Sequence, residues 1–265
     1  MQTSLTRVPT SSTLETMKSV MLLGHRGSPN VARENTLPSF QAAIDAGLDG
    51  IELDVQRTLD GVLVVHHDFH LPDGRLIAAL NASEIEAAIL PMNGRTPRLE
   101  QVLEWAKSQN IFVNVEIKSE GLKSDGRELE TVKCIRDTGM RNNVIVSSFN
   151  PSSIARVRFA DAGLETGLLY ENRTEPKWLL ENGWTAVLLG VKALHPYHAD
   201  VTPALMNRAK ERGWKVNTWT VNDLETAKNL IDLGVNALIG NFPEVLLEAA
   251  GRTLKTHNSS LENPS

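Results

Sequence analysis

Short apolar runs rich in β-branched residues alternate with segments of helical periodicity along most of the chain. Nine runs are strand candidates, at residues 20–24, 50–56, 62–67, 111–118, 143–149, 165–170, 185–191, 215–221 and 236–241. Five helical patterns lie between them, four of which end on glycine, at residues 36–47, 98–109, 151–163, 202–213 and 223–234. This alternation predicts parallel strands joined by right-handed crossovers.

The second and third strand candidates are separated by Asp60-Gly61, a dipeptide typical of a tight β-hairpin turn. If the third strand turns back on the second, eight strands remain to close a barrel. The alternative is an open doubly wound sheet, but the Gly-x-Gly-x-x-Gly motif that usually follows its first strand is absent from this sequence. We therefore predict an α/β protein, a TIM (β/α)8 barrel with a small β-hairpin and loop insertion after strand 2.

The amino-acid composition is consistent with the predicted barrel fold. Hydrophobic residues make up 41% of the chain and charged residues 22%, as in an ordinary globular protein. Residues 20–250 form the predicted single barrel domain, and the polar segments 1–19 and 251–265 are expected to be a flexible extension and tail. The first 20 residues hold no apolar stretch of the secretion-signal kind, and no segment approaches the roughly 18 apolar residues of a membrane span.

Charge and cysteine content restrict the partners and the compartment. The net charge of -5 and the lack of a Lys/Arg run argue against a nucleic-acid partner. The single cysteine, Cys134, fits a reducing compartment, and we expect a cytoplasmic location. The oligomeric state, monomer or homodimer, stays open.

Polar side chains concentrate where the predicted strands end, which in such a barrel is where functional groups lie. The candidates on strands 1, 2, 4 and 8 are His25, Arg26, Glu52, Asp54, Glu116, Lys118, Asn217 and Trp219. Residues two apart point to the same side of a strand, so Glu52 and Asp54 share one side, as do Glu116 and Lys118. Three carboxylates at one mouth would repel one another unless they shared a cation, and oxygen ligands without cysteine favour Mg²⁺, Ca²⁺ or Mn²⁺.

The predicted hairpin brings a second histidine to the same mouth. With Asp60 and Gly61 at the turn, residues whose numbers sum to about 121 pair, which places His67 across from Asp54. His25 leaves the neighbouring strand 1, and two imidazoles beside a metal-bound phosphate would supply a general acid and a general base. Arg26 and Lys118 would then hold the anionic oxygens.

Each of these residues taken alone is more often a surface or loop residue, and the prediction depends on their joint placement. The other reactive side chains are not accompanied by residues that would complete a catalytic or metal site. His195 and His198 follow the predicted seventh strand without a carboxylate, so we expect a loop or substrate-rim role for them. Ser147 and Ser148 have no Gly-x-Ser-x-Gly context. Structural roles are predicted for His66, His70 and Cys134.

The ordered set of motifs resembles the glycerophosphodiester phosphodiesterase family, over about residues 21–248. The motifs in order are HRG, ENT, ELDVQ, VVHHD, TPRLEQVLE, VEIK, VSSF, WTVN and GVNALIGNFP. The resemblance implies a TIM barrel of the phosphatidylinositol-phospholipase-C-like type. It also implies a small-molecule glycerophosphodiester substrate and its metal-dependent hydrolysis to sn-glycerol 3-phosphate and an alcohol.

The resemblance assigns roles to the same strand-end residues. It implies that Glu52, Asp54 and Glu116 bind a divalent cation and that His25 and His67 are the catalytic acid/base pair. It also implies that Arg26 and Lys118 contact the phosphate and that Trp219 lines the glycerol end of the pocket. In one course the glycerol 2-hydroxyl attacks first, and water then opens a cyclic phosphate. Glu34 and Asn35 are expected to brace the loop over the site, with Thr36 as an N-cap.

Two features depart from the family pattern. Asn241 stands before Phe242-Pro243 where the last strand of the family commonly ends in an acidic residue, and residues 68–98 look short for a region that covers the site. Because that region bears on substrate range, a lysophospholipase D type of activity on lipid substrates is the alternative. A binding barrel without catalysis is a second alternative, although no metal carboxylate or histidine is missing.

Overall fold

The computed structural model describes residues 20–119, 121, 123–171 and 184–255. Strands in this part of the chain are β1 (Met21–His25), β2 (Gly50–Arg57), β3 (Leu63–Val65), β4 (Phe112–Ile117), β5 (Val144–Ser148), β6 (Glu165–Tyr170), β7 (Ala193–Pro196), β8 (Lys215–Thr218) and β9 (Ala237–Gly240). All except β3 are parallel, in the order β1-β9-β8-β7-β6-β5-β4-β2, and β1 also pairs with β2. The eight parallel strands thus close a barrel, which confirms the predicted TIM-barrel fold.

Helices follow most of the barrel strands. They are α1 (Leu37–Ala46), α2 (Ala82–Ala87), α3 (Leu99–Gln109), α4 (Arg127–Asp137), α5 (Pro151–Ala160), α6 (Trp184–Leu189), α7 (Pro203–Arg212), α8 (Leu224–Leu233) and α9 (Pro243–Ala249). Three helices, α1, α7 and α8, end on a glycine in the left-handed conformation, as the sequence pattern predicts. Thr36 is the N-cap residue of α1, but its hydroxyl donates to the carbonyl of Arg33 instead of capping the helix.

The main core lies between the barrel wall and the surrounding helices. Val113 and Val115 of β4 belong to one buried cluster with Val102 and Leu103 of α3 and Phe40 of α1. Because side chains alternate along a strand, the residues between and beyond these valines point into the barrel. Burial of the outer face therefore decides which side chains of β4 reach the interior.

The hairpin after β2 forms as predicted, but its register differs by one residue. β2 and β3 are antiparallel with Val55 opposite Val65, so the paired residue numbers sum to 120. The turn has three residues between Thr58 and Val62, because the Thr58 hydroxyl bonds both main-chain groups of Val62 and Gly61 takes a φ of 87°. The predicted pairing of Asp54 with His67 is therefore wrong: the carbonyl of Asp54 accepts from the backbone N–H of His66 at 3.0 Å.

The seventh barrel strand lies later in the chain than predicted. Residues 185–191, which we predicted as a strand, fall mainly in helix α6, and β7 begins at Ala193. A short apolar run does not distinguish a strand from a buried helical turn by periodicity alone, which explains the error. The shift moves His195 from a loop into a barrel strand.

Residues 66–98 form a small layer beside the barrel. Helix α2 and 3-10 turns at Ile77–Ala79 and Pro91–Asn93 enclose a separate apolar cluster. The carboxylate of Asp60 in the hairpin turn accepts from the N–H of Ala82, which ties α2 to the hairpin. Among the residues that the structure describes, no helix is long and apolar enough to cross a membrane.

The described part of the C-terminal segment contacts the barrel. Arg252 donates to Asp49 Oδ2 at 2.7 Å and to the carbonyl of Gly47 at 2.6 Å. The N–H of Lys255 donates to the carbonyl of Ala46 at 3.0 Å. Segments 1–19 and 256–265, which include most of the predicted tail, lie outside the described residues.

Candidate active site

Three buried carboxylates meet inside the mouth of the barrel. Glu52 and Asp54 lie on β2, and Glu116 lies on β4 with Asp54 as its partner in the parallel ladder. One oxygen from each of the three lies within 4.8 Å of the other two. The spacing by two along β2 and the burial of the outer face of β4 put all three on the interior side, as expected from the sequence.

The pKa values of these groups show an excess of negative charge. Burial, followed by the charges of Asp54 and Glu116, raises the pKa of Glu52 well above its usual value. Burial and then the charge of Asp54 raise the pKa of Glu116 to about 7. Burial also acts to raise the pKa of Asp54, but Arg26 and Lys118 outweigh it and lower that pKa overall. A bound divalent cation would relieve this repulsion, and an all-oxygen donor set suits Mg²⁺, Ca²⁺ or Mn²⁺.

Arg26 takes an unusual backbone conformation that points its N–H at the acidic cluster. Its φ is 55°, in the left-handed region that a non-glycine residue rarely adopts. The N–H donates to Glu52 Oε2 at 3.0 Å, and the carbonyl accepts from the N–H of Asn35 at 3.0 Å. Gly27 follows with a φ of 91° and packs so closely on Ser39 of α1 that a Cβ would lie 2.5 Å from its hydroxyl oxygen. The HRG sequence therefore forms a tight turn against α1.

The side chains of Arg26 and Lys118 are paired with the carboxylates. Arg26 Nε lies 3.2 Å from Asp54 Oδ2, and Arg26 Nη1 donates to both oxygens of Glu34 at 3.3 Å. Lys118 Nζ lies 3.0 Å from Glu116 Oε1 and 3.8 Å from Asp54 Oδ1. Two cations thus border the acidic cluster, on the sides of β1 and β4.

Asn35 bonds directly to a carboxylate of the cluster. Its Nδ2 donates to Asp54 Oδ2 at 2.8 Å, and its Oδ1 accepts from the N–H of Asp54 at 3.3 Å. Asn35 has a φ of 57°, a conformation that asparagine tolerates better than most residues. Glu34 bonds to Arg26, so the ENT segment contacts the site through two consecutive side chains.

His25 lies half-buried at the end of β1, and one of its ring nitrogens is hydrogen-bonded. Its Nδ1 lies 2.7 Å from Asn241 Oδ1, and since an amide oxygen only accepts, Nδ1 carries the proton. Nε2 therefore keeps its lone pair, 4.0 Å from Glu52 Oε2. Burial, and after it the charge of Arg26, lowers the pKa of His25 to about 4, so this imidazole is neutral near pH 7.

His67 lies just beyond β3, where the chain reaches the mouth. Its ring is partly exposed, at 31% of the side chain, and its Nδ1 lies 2.7 Å from Asp68 Oδ1. Its charge is among the causes that lower the pKa of Asp54, so the ring lies near the acidic cluster. The structure thus brings His67 to the site, although not through the strand pairing expected from the sequence.

Trp219 belongs to an aromatic group at the ends of β5, β7 and β8. Its ring packs edge to face with Phe149 at 5.4 Å and with Tyr197 at 5.6 Å between centroids. Its indole N–H donates to the carbonyl of His195 at 2.9 Å. The aromatic group and the acidic cluster therefore occupy ends of different strands of one barrel.

His195 does not have the loop or rim position that we predicted. It lies in β7 and is fully buried inside the barrel, where its Nε2 accepts from Asn217 Nδ2 at 3.0 Å. A Cβ at Gly167 would lie 2.4 Å from that nitrogen, so the glycine on β6 makes room for the ring. His198 lies in the 3-10 turn after β7, against the ring of Tyr197.

Several functional contacts were not predicted from the sequence. Asp68 directly follows His67, and Phe149 and Tyr197 directly follow strands β5 and β7. These positions in the sequence could have indicated that the three residues lie near the site. The bond between His25 and Asn241 joins residues 216 apart, which no local pattern reveals. Cys134 is half-buried, and burial raises the pKa of its thiol to about 12, in line with a structural role.

A family model for the glycerophosphoryl diester phosphodiesterase family matches residues 25–245. The chain belongs to this family. A glycerophosphodiester phosphodiesterase from Caldanaerobacter subterraneus subsp. tengcongensis is 33% identical over 243 residues, covering 86% of this chain and 96% of the relative. The family and this relative support glycerophosphodiester phosphodiesterase activity.

Two solved structures have the same fold. A structure named as a putative glycerophosphoryl diester phosphodiesterase from Silicibacter pomeroyi superposes with a TM-score of 0.79 at 27% identity, covering 91% of this chain and 99% of that one. A phosphodiesterase from Oleispira antarctica, in complex with the product sn-glycerol-3-phosphate, gives a TM-score of 0.74 at 24% identity and covers 87% and 96% of the two chains.

Proposed function

We propose that this family member needs a divalent cation and hydrolyses glycerophosphodiesters to sn-glycerol 3-phosphate and an alcohol, with His25 and His67 as base and acid. The observation that carries the proposal is the buried cluster of Glu52, Asp54 and Glu116 within 4.8 Å. The family match and the Caldanaerobacter relative named as a glycerophosphodiester phosphodiesterase support the choice of substrate class.

Glu52, Asp54 and Glu116 would hold the cation, either Mg²⁺, Ca²⁺ or Mn²⁺. When bound, the cation would neutralise phosphate charge and polarise the phosphoryl group. The raised pKa values of Glu52 and Glu116 agree with this assignment, since both carboxylates lack a full countercharge in the protein alone. Asn35 fixes the orientation of Asp54 through two hydrogen bonds.

Arg26 and Lys118 would bind the phosphate oxygens. Both side chains already border the carboxylates, and each has N–H hydrogens beyond those directed at the acidic groups. Glu34 holds the Arg26 guanidinium from the side away from Asp54. The ion pair with Glu34 fixes the orientation of the Arg26 guanidinium before substrate binds.

We assign His25 as the base because its ring is neutral and Nε2 carries the lone pair. In the first step Nε2 accepts the proton of the glycerol 2-hydroxyl as that oxygen bonds to phosphorus. The bond from phosphorus to the alcohol oxygen breaks, and His67 gives that oxygen a proton. The products of this step are a cyclic phosphate and the free alcohol.

The second step reverses the two roles. His67, now without its proton, accepts a proton from water as the water oxygen bonds to phosphorus. The bond from phosphorus to the glycerol 2-oxygen breaks, and His25 returns its proton to that oxygen. sn-Glycerol 3-phosphate results, and both histidines regain their starting states.

Trp219 would line the glycerol end of the pocket, and Phe149 and Tyr197 fix its ring. An apolar aromatic face suits the carbon backbone of glycerol, while the hydroxyls stay available for polar contacts. The indole N–H is already used by the carbonyl of His195. We therefore expect Trp219 to act through its face and not as a hydrogen-bond donor.

A lysophospholipase D type of activity on lipid substrates is a second candidate. Val31, in the loop after β1, is 61% exposed, and Met92 of the 66–98 layer is 62% exposed. Gly94 packs against Arg33 of the same β1 loop, so the layer adjoins the mouth. Exposed apolar side chains beside the mouth favour an acyl chain there. Comparison of glycerophosphocholine with lysophosphatidylcholine as substrates separates the two activities.

We extend the proposal to a cytoplasmic location. The sequence has one cysteine, which fits a reducing compartment.

The test is release of glycerol 3-phosphate from a panel of glycerophosphodiesters, each with Mg²⁺, Ca²⁺ and Mn²⁺. We expect the wild-type protein to hydrolyse at least one substrate with at least one of the cations. We expect His25→Ala and His67→Ala to lower kcat at least about a hundredfold without changing the melting temperature. Turnover at wild-type rates in both variants contradicts the acid/base assignment. Absence of turnover on every pair would show a barrel without this catalysis.

A further inference from the structure

Gln56 holds the segment that carries His67. This glutamine lies near the end of β2, buried, and on the same side of the strand as Glu52 and Asp54. Its Nε2 donates to three consecutive carbonyls, those of His66 at 3.0 Å, His67 at 3.1 Å and Asp68 at 2.6 Å. An NH2 group has two hydrogens, so at least one of them is shared between carbonyls.

Three consecutive carbonyls that meet one nitrogen require a curled backbone, since carbonyls alternate in direction along an extended strand. The ladder of β3 ends at Val65, and the last bond of the hairpin joins His66 to Asp54. Strand pairing therefore does not set the position of His67. The Gln56 amide stabilises the curl that turns His67 towards the mouth.

The same curl places Asp68 against the His67 ring. Asp68 Oδ1 lies 2.7 Å from His67 Nδ1, and a carboxylate at that distance accepts a hydrogen bond from Nδ1. This bond leaves Nε2 as the nitrogen that faces away from Asp68. Gln56 holds the carbonyls of both His67 and Asp68, so one amide fixes the ring and its partner together.

We propose that Gln56 is a positioning residue for His67: its amide holds the backbone of residues 66–68 so that the His67 imidazole meets the leaving oxygen of the substrate. The inference rests on the proposed function, in which His67 is the acid. The hydrogen bonds of the Gln56 side-chain nitrogen go to these three carbonyls. Its loss should therefore lower kcat through His67 and leave substrate and cation binding nearly unchanged.

Gln56→Met removes both donors at nearly the same volume. We expect kcat for glycerophosphodiester hydrolysis to fall about 10- to 100-fold, as for a catalytic group displaced by a fraction of an ångström to an ångström. KM and the cation concentration for half activity should stay within about threefold of wild type. If Gln56→Met does not fold by circular dichroism, Gln56→Asn, which keeps the amide on a shorter stem, replaces it with the same expectation.

The decisive measurement is a double-mutant cycle with His67→Ala. In that background Gln56→Met should change the residual kcat less than about twofold, because the group that it positions is gone. A merely structural glutamine would lower kcat by the same factor in both backgrounds. Asn236→Ala is the matched control, since its amide also bonds the backbone, at the N–H of Val216 at the other end of the barrel.

Two results overturn the inference. One is a Gln56→Met enzyme with wild-type kcat while His67→Ala is impaired. The other is an equal loss from Gln56→Met with and without His67. A His67→Ala enzyme of wild-type rate contradicts the acid assignment in the proposed function itself, and with it this role of Gln56, so the two failures are distinguishable.

Discussion

At the level of single residues, the contact between His25 and Asn241 supports the proposed role of His25 as the starting base. The neutral amide of Asn241 accepts from Nδ1 at 2.7 Å and adds no negative charge beside the ring. Burial and Arg26 then keep the pKa of His25 at about 4. An acidic residue at this position would favour the charged imidazole, whereas the neutral Asn241 amide does not.

Asn241→Asp should move the acid limb of the kcat/KM profile to higher pH. A carboxylate beside Nδ1 stabilises the imidazolium and raises the pKa of His25, so the base becomes protonated at a higher pH than in wild type. The measurement is kcat/KM for one glycerophosphodiester between about pH 5 and pH 9. Asn236→Asp adds the same charge at the opposite end of the barrel, and an equal shift in that variant would contradict the account.

At the scale of elements, Asp161 joins α4, the loop after it and the turn that leads into β6. Its carboxylate accepts from Arg141 at 2.9 and 3.0 Å, from Arg136 at 3.1 Å and from the N–H of Gly163 at 3.0 Å. The hydrogen bond from Arg141 is the largest cause that holds the pKa of Asp161 well below its usual range. This cluster fixes the start of β6 relative to α4.

Asp161→Asn is expected to lower the free energy of unfolding at pH 7 by about 1–2 kcal/mol. Because the folded-state pKa is depressed, the contribution of Asp161 is present above the pKa of the unfolded chain and is lost as the pH falls. Urea unfolding should therefore show a gap between wild type and variant that narrows from about pH 5 towards pH 3. Asp137→Asn, which breaks the exposed pair with Lys133, is the control and should cost under about 0.5 kcal/mol. A gap that is independent of pH would refute the electrostatic account.

The periodic patterns in the sequence located most strands and helices correctly. They failed where tertiary contacts determine whether a segment is a strand or a helix, or set the register of a strand. The apolar run at 185–191 has no feature that separates α6 from a strand, and only closure of the barrel shows that β7 is Ala193–Pro196. The hairpin register depended on the Thr58 hydroxyl, which widens the turn to three residues. Both errors misplaced a histidine. The sequence prediction put His195 in a loop or at the rim, although it lies in the barrel core, and it paired His67 with β2, although His67 lies beyond the strand pairing.

At the scale of the whole molecule, barrel topology brings together residues that are far apart in the chain. The β/α alternation and the Asp60-Gly61 turn were sufficient to predict a closed eight-stranded barrel, because the number of strands and the hairpin are visible in the sequence. The carboxylates of β2 and β4 were predicted together for the same reason, since alternation and strand adjacency follow from that topology. The contacts of Gln56 and Asn241 depend on loop geometry beyond the strands and had no such signal.

We propose that Glu52, Asp54 and Glu116 together hold a divalent cation that turnover requires. The most direct test is the rate of glycerol 3-phosphate release from glycerophosphocholine by chelator-treated protein as Mg²⁺, Ca²⁺ or Mn²⁺ is added. We expect almost no release without cation, a saturable gain with at least one of the three, and a half-saturating concentration raised at least about tenfold in Glu52→Gln. A full rate in the presence of chelator, unchanged by Glu52→Gln, would contradict the account.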